Sequence, residues 1–266
     1  MNRIDTLFGS NPKRLLSIYF CAGAPTLDGT ADVIMTLEAN GVNMIEVGMP
    51  FSDPMADGPV IQNAATKALK NGMSIRLLFE QLKDIRKQVN IPLILMGYLN
   101  PVFNFGFENF CKKCSEVGID GMIIPDLPFK DYQEMYKPIA DKYDLRFIFL
   151  ITPETSEERI RLIDEHTSGF IYMVSSASTT GAQKDFNQAK QEYFKKIEDM
   201  NLRIPRMVGF GISNKQTFDA ACAHACGGII GSRFVTLLDQ ASAEESDPAK
   251  AAQNAISQLK KDIEMD

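Results

Sequence analysis

Met44-Ile45-Glu46-Val47-Gly48-Met49-Pro50-Phe51-Ser52-Asp53-Pro54-Met55-Ala56-Asp57-Gly58-Pro59-Val60-Ile61-Gln62 runs from a short apolar stretch into a turn-rich one. The run Met44–Val47 reads as a buried strand with a carboxylate, Glu46, in its middle, and the following loop carries Asp53 and Asp57. Desolvating an unpaired carboxylate costs several kcal/mol or shifts its pKa, so a strand does not accept Glu46 cheaply. A strand carboxylate facing a second one on the next loop suits proton shuttling. The plainer alternative is a strand-end Glu paired with a base, above an Asx-rich turn.

Outward from this stretch, the same strand-then-helix unit recurs. Apolar runs at Leu16–Cys21, Met44–Val47, Leu93–Gly97, Gly121–Ile124, Phe147–Ile151, Phe170–Val174, Arg206–Gly209 and Gly228–Ile230 read as eight strands. Between them lie segments of helical period, among them Ser74–Val89, Phe107–Val117, Lys130–Tyr143, Ser156–His166, Asn187–Met200 and Lys215–Ala225. Near-continuous apolar strands, each followed by a helix, imply a parallel sheet covered on both faces. Eight such units predict an α/β chain folded as a single closed (β/α)8 TIM barrel over residues 1–266. An open doubly wound sheet is the alternative, but its Gly-x-Gly-x-x-Gly fingerprint is absent after the first strand. A short extra helix at Asn2–Phe8 is expected to plug the barrel bottom. Thr155-Ser156-Glu157-Glu158 places polar caps and acids at a first turn, and Ser213-Asn214 comes just before the Lys215–Ala225 helix. The segment Ala241–Pro248 reads as a polar linker before a last helix at Ala249–Ile263.

The formal net charge of −6, without a run of five like charges, argues against a nucleic-acid surface. No apolar h-region follows the first residues, and no apolar stretch nears the roughly 20 residues of a membrane span, so a cytoplasmic protein is expected. Five cysteines are an odd count that fits reduced thiols. Cys111 and Cys114 have the spacing of a metal pair but sit in a helical pattern with no second pair, and no metal site is expected.

In such a barrel the site lies at the carboxyl ends of the strands. No strand end carries a lysine, which disfavours a Schiff-base aldolase. The only histidines, His166 and His224, fall on expected helices, which disfavours a His-ligated metal. Acid–base chemistry by carboxylates remains. Three loops could grip a phosphate: Thr179-Thr180-Gly181, Gly209-Phe210-Gly211-Ile212-Ser213 and Gly231-Ser232-Arg233, the last opening a short helix at Ser232–Leu238. Glycines let backbone approach an anion, and helix N-termini present free N–H groups. The same glycines would also serve plain tight turns, and Arg233 could equally be a solvated helix residue.

The run Glu46 to Gln62, with Gly209-Phe210-Gly211-Ile212-Ser213 and the Gly231-Ser232 pair, resembles the tryptophan synthase α subunit family. The resemblance extends from Phe20 to Leu238. It departs from the family's common form at the sixth loop, Ser175 to Gly181, although the Thr180-Gly181 end is kept.

The resemblance implies cleavage of indole-3-glycerol phosphate to indole and glyceraldehyde 3-phosphate, with the indole passed to a β subunit in an αββα heterotetramer. It implies no cofactor in this chain, with pyridoxal phosphate in the partner only. Glu46 and Asp57 take the catalytic positions: Asp57 at the indole N–H and its developing charge, Glu46 at C3 and the glyceryl hydroxyl. Thr180, Gly181, Gly211, Gly231 and Ser232 take the phosphate positions. Phe20, Met96, Tyr98, Ile123, Tyr172 and Phe210 match the indole pocket, whose bland reading is barrel core. Asp126 matches a support for Tyr172, the strand-two loop and loop closure. Met49-Pro50, Asp53-Pro54 and Asn100-Pro101-Val102-Phe103, on the loops after strands two and three, would face the partner. An autonomous indole-releasing lyase and a non-catalytic subunit are the other readings.

Overall fold

The computed structural model describes residues 1–174, 188–209 and 211–265. Its strands are β1 (Leu15–Cys21), β2 (Met44–Gly48), β3 (Leu93–Met96), β4 (Gly121–Ile123), β5 (Arg146–Ile151), β6 (Ile171–Val174), β7 (Arg206–Gly209) and β8 (Gly227–Ile230). All neighbours pair in parallel in chain order, and β8 closes on β1. This is the TIM barrel. Each expected strand is present, with its ends within a residue of the apolar run.

Apart from α1, the helices form the outer layer. α1 (Arg3–Phe8) precedes β1 and α2 (Thr30–Ala39) follows it. α3 (Pro59–Lys70) and α4 (Ile75–Leu82) follow β2, and α5 (Leu99–Phe105) and α6 (Phe107–Val117) follow β3. After β4 come α7 (Phe129–Asp131), a π-helical turn at Tyr132–Tyr136, and α8 (Lys137–Lys142). α9 (Glu157–His166), α10 (Gln188–Asp199) and α11 (Lys215–His224) follow β5, β6 and β7, and α12 (Ser232–Glu244) and α13 (Pro248–Ile263) complete the chain. The Ser156 side chain accepts the Arg159 N–H, and Asn214 and Thr217 form a reciprocal capping box.

Three expectations change. Residues 99–105, read as a loop, are helical: Pro101 stands in the first turn, where its missing N–H has no partner to lose. The helix after β8 is not short but runs on to Glu244, which leaves only 245–247 as linker. The segment 74–89 is helical only to Leu82, with a separate 3₁₀ turn at Ile85–Lys87.

The strand pleat sorts side chains into two cores. Leu15, Met44, Ile94, Met96, Ile123, Ile148, Tyr172, Met207 and Ile229 fill the barrel interior together with Ile4 and Phe8 of α1. Leu16, Ile18, Phe20, Ile45 and Val47 pack outward against helix residues such as Val33, Ile34 and Phe234. The α1 plug is fastened from below: the Asn2 amide donates to the carbonyls of Asp120 (2.8 Å) and Asp144 (2.7 Å), and its oxygen accepts the Ile4 N–H. Buried Asp120 accepts from Arg3, Arg86 and the Leu93 N–H, and Arg146 pairs with Asp5. Among the described residues no helix is long and apolar enough to cross a membrane.

Candidate active site

Glu46 faces the barrel interior from the middle of β2 and is fully buried. Its Oε1 accepts a hydrogen bond from the Ser17 hydroxyl at 3.3 Å, and among the described residues Oε2 has no partner. Burial pushes its pKa up to about 8, opposed by the Ser17 bond. At neutral pH the carboxyl therefore holds its proton but can release it within reach of that pH, as a group that both gives and takes a proton must.

Asp57 reaches the same mouth from the loop after β2. Its Oδ2 accepts the Tyr98 hydroxyl at 2.8 Å, and that hydroxyl in turn accepts the Ala56 N–H at 2.9 Å. Tyr98 precedes α5, so the strand-three loop fixes the strand-two acid. Burial raises the Asp57 pKa and the Tyr98 bond lowers it. The two acids are thus differently served: Glu46 by one hydroxyl in an apolar wall, Asp57 by a phenol at a polar loop.

Two phenols complete the wall. Tyr19 on β1 and Tyr172 on β6 are both held well above the usual tyrosine range, chiefly by burial, and both feel the charges of Glu46 and Asp57. Glycines make room for them. A Cβ at Gly48 would collide with the Tyr19 hydroxyl oxygen, and one at Gly209 with that of Tyr172.

Tyr19 corrects one sequence expectation. Phe20 does not enter the barrel; it belongs to the outer core and borders a pocket with Val60, Ala64, Val235 and Leu238. A strand buried on both faces shows no polar alternation, so sequence alone does not say which of two adjacent aromatics points inward. Met96, Ile123 and Tyr172 do face the interior. Asp126 accepts the Leu99 N–H at 2.9 Å and so anchors the start of α5. Met49 is buried rather than on a partner-facing surface, and its side chain fills the space where a Gly97 Cβ would stand.

Gly211 has a φ of +76°, which favours glycine, in the loop leading to α11. Gly231 precedes Ser232, the first residue of α12, so the α12 N-terminus opens directly from β8. Arg233 is not free for an anion: its guanidinium pairs with Asp262 of α13 at 2.6 Å. Thr180, Gly181, the rest of the Ser175 to Gly181 loop, and Phe210 lie outside the described residues. Cys111 and Cys114 are buried on α6, and burial pushes the Cys111 thiol up to about 12. Among the described residues no group of three His, Cys, Asp or Glu side chains could hold a metal.

Fold and site define a class, the (β/α)8 barrel whose groups at the mouth are one buried and one part-buried carboxylate flanked by phenols. A family model described as tryptophan synthase alpha chain matches residues 9–264. A tryptophan synthase alpha chain of Phocaeicola vulgatus is 69% identical over 260 residues, covering 98% of this chain and 100% of that one. One from Bacteroides fragilis is 73% identical over 251 residues, 94% of each. Among solved structures, the alpha subunit of Legionella pneumophila superposes with a TM-score of 0.87 at 32% identity over 99% of both chains. The chain belongs to the tryptophan synthase alpha chain family.

Proposed function

We propose that this chain is the lyase subunit of a tryptophan synthase, cleaving indole-3-glycerol phosphate into indole and glyceraldehyde 3-phosphate through Glu46 and Asp57. The observation that carries the residue assignment is the unequal setting of the two acids. Protonated Glu46 gives its proton to C3 of the indole ring, and ionised Asp57 balances the positive charge that develops at the ring N–H. The Glu46 carboxylate then takes the proton of the glyceryl hydroxyl. The C–C bond breaks, its electron pair returns to the ring, the hydroxyl carbon becomes the aldehyde, and Glu46 is protonated again. Tyr19 replaces Phe20 beside Met96, Tyr98, Ile123 and Tyr172 in the indole pocket, with Phe210 kept from the family pattern. Thr180, Gly181, Gly211, Gly231 and Ser232 bind the phosphate, the last two with the support of the α12 N-terminus. Asp126 holds the Tyr98 loop through Leu99.

The partner is a β subunit that carries the pyridoxal phosphate, this chain needing no cofactor. Exposed Met55 (86%) and Phe103 (64%), on the segments after β2 and β3, give that partner an apolar contact on the site's own loops. The solved tryptophan synthase of M. tuberculosis, in its aminoacrylate-bound form, contains a chain that matches this one with a TM-score of 0.80 at 27% identity, over 97% of this chain and 99% of that one. One cytoplasmic domain accounts for the whole chain. Indole release, measured with and without a matching β subunit, tests the reading. Weak activity alone that rises strongly with the partner is expected. Full activity alone would make the chain an autonomous lyase, and none in either case a binding subunit.

A further inference from the structure

Ser17 stands where the barrel needs no hydroxyl. It is fully buried on β1, and its register partners on the flanking strands are Met44 of β2 and Ile229 of β8, both interior apolar residues. A buried hydroxyl in such a wall costs free energy unless it is hydrogen-bonded. Its side-chain bond goes to Glu46 Oε1, on the neighbouring strand. The contact is diagonal, since Glu46 pairs with Tyr19 and Ser17 lies one inward position nearer the amino-terminal end of the strands.

We propose that Ser17 is a positioning residue for the proton-transferring carboxyl of Glu46, fixing one oxygen so that the other is presented to substrate. The inference rests on Glu46 being the proton shuttle. The geometry divides the carboxyl's two oxygens between two tasks: Oε1 is tied to Ser17, while Oε2 is buried and, among the described residues, without a partner. An unpaired buried oxygen is costly, and a substrate proton arriving there would meet an acceptor already desolvated and aimed. The bond also limits how far burial raises the proton affinity of Glu46.

The other titratable groups near Glu46 leave this control to Ser17. Tyr19 from β1 and Tyr172 from β6 are phenols whose own pKa values burial pushes up, so they stay neutral through the working range. From β3 the register partner is apolar Ile94. Asp57 and Tyr98, at the loops above, are paired with each other. The influences on Glu46 are burial and the Ser17 bond, neither of them a cation.

The experiment is a pH profile of indole release for Ser17→Ala and Ser17→Thr, assayed with the β subunit, beside a carbon-13 titration of the Glu46 carboxyl. Loss of the hydroxyl removes a bond that favours the ionised form, so the Glu46 titration and the alkaline limb of kcat/KM should both move to higher pH, by about one unit. The kcat should fall about tenfold with KM little changed, because Ser17 does not touch substrate. Ser17→Thr, which keeps the hydroxyl, should restore both the limb and kcat. In a Glu46→Gln background, Ser17→Ala should cost nothing more. An unmoved Glu46 titration in Ser17→Ala, or equal losses in the alanine and threonine variants, would overturn the proposal. Near-normal indole release by Glu46→Gln alone would instead overturn the shuttle assignment, while the titration would still report on the Ser17 bond.

Discussion

Glu46 is held where an ionised carboxylate is poorly solvated, and the fold bears that cost as a function of pH. Below about pH 4.5 the group is protonated in both folded and unfolded chains. As pH rises toward about 8, the unfolded chain ionises while the fold keeps its proton, so stability falls until both forms are ionised. Glu46→Gln removes this dependence. Its unfolding free energy should gain on the parent by roughly 4 kcal/mol between pH 5 and 8, even as indole release drops by several orders of magnitude. Urea melts at both pH values check it; a gap that does not change with pH would contradict the burial argument. Tyr98→Phe acts in a complementary way on the other acid. It removes the donor that lowers the Asp57 pKa, so the acid limb of the pH profile should move to higher pH. Unchanged limbs in Tyr98→Phe would show that Asp57 is set by burial alone.

Strands and their glycines set the pocket's width. Gly48 and Gly209 leave the spaces into which the Tyr19 and Tyr172 hydroxyls project. Gly209→Ala and Gly48→Ala should each destabilise by about 1–3 kcal/mol, and each should reduce indole release by displacing a ring. Thermal melts and kinetics on the same preparations test this; full activity in either variant would mean that the phenols can shift without consequence. The existence of the strands was legible because burial on both faces makes each an apolar run, and the family-like stretch from Glu46 to Gln62 located the two acids. Facing was not legible for the same reason. The run Leu15 to Cys21 offers apolar residues to both cores, so Phe20 and Tyr19 could be separated only by the register with β2 and β8. Ser17 carried no motif at all, and only its register makes it a neighbour of Glu46. Residues 241–244 failed differently: Ala241, Ser242, Ala243 and Glu244 lack an apolar stripe, yet α12 continues through them with its buried face set earlier, by Phe234, Val235, Leu237 and Leu238.

At the level of the whole molecule, the barrel is shut at its amino-terminal end by α1. The closed end is apolar, with Ile4 of α1 in the interior core and Asn2 and Asp120 fastening the helix beneath it. Ile4→Ala should cost about 2–5 kcal/mol of stability and leave kcat unchanged, since the floor lies at the opposite end from the chemistry. If the chain is one domain, as proposed, fluorescence and circular dichroism should also follow a single coincident unfolding transition. The fastening of α1 has a consequence in time. Asn2 leaves the ribosome well before the carbonyls it bonds, which lie 118 and 142 residues further along. Its helix must wait, unanchored, until the segment carrying Asp120 and Asp144 has been synthesised, and nascent chains that stop before β5 should expose the α1 segment to protease.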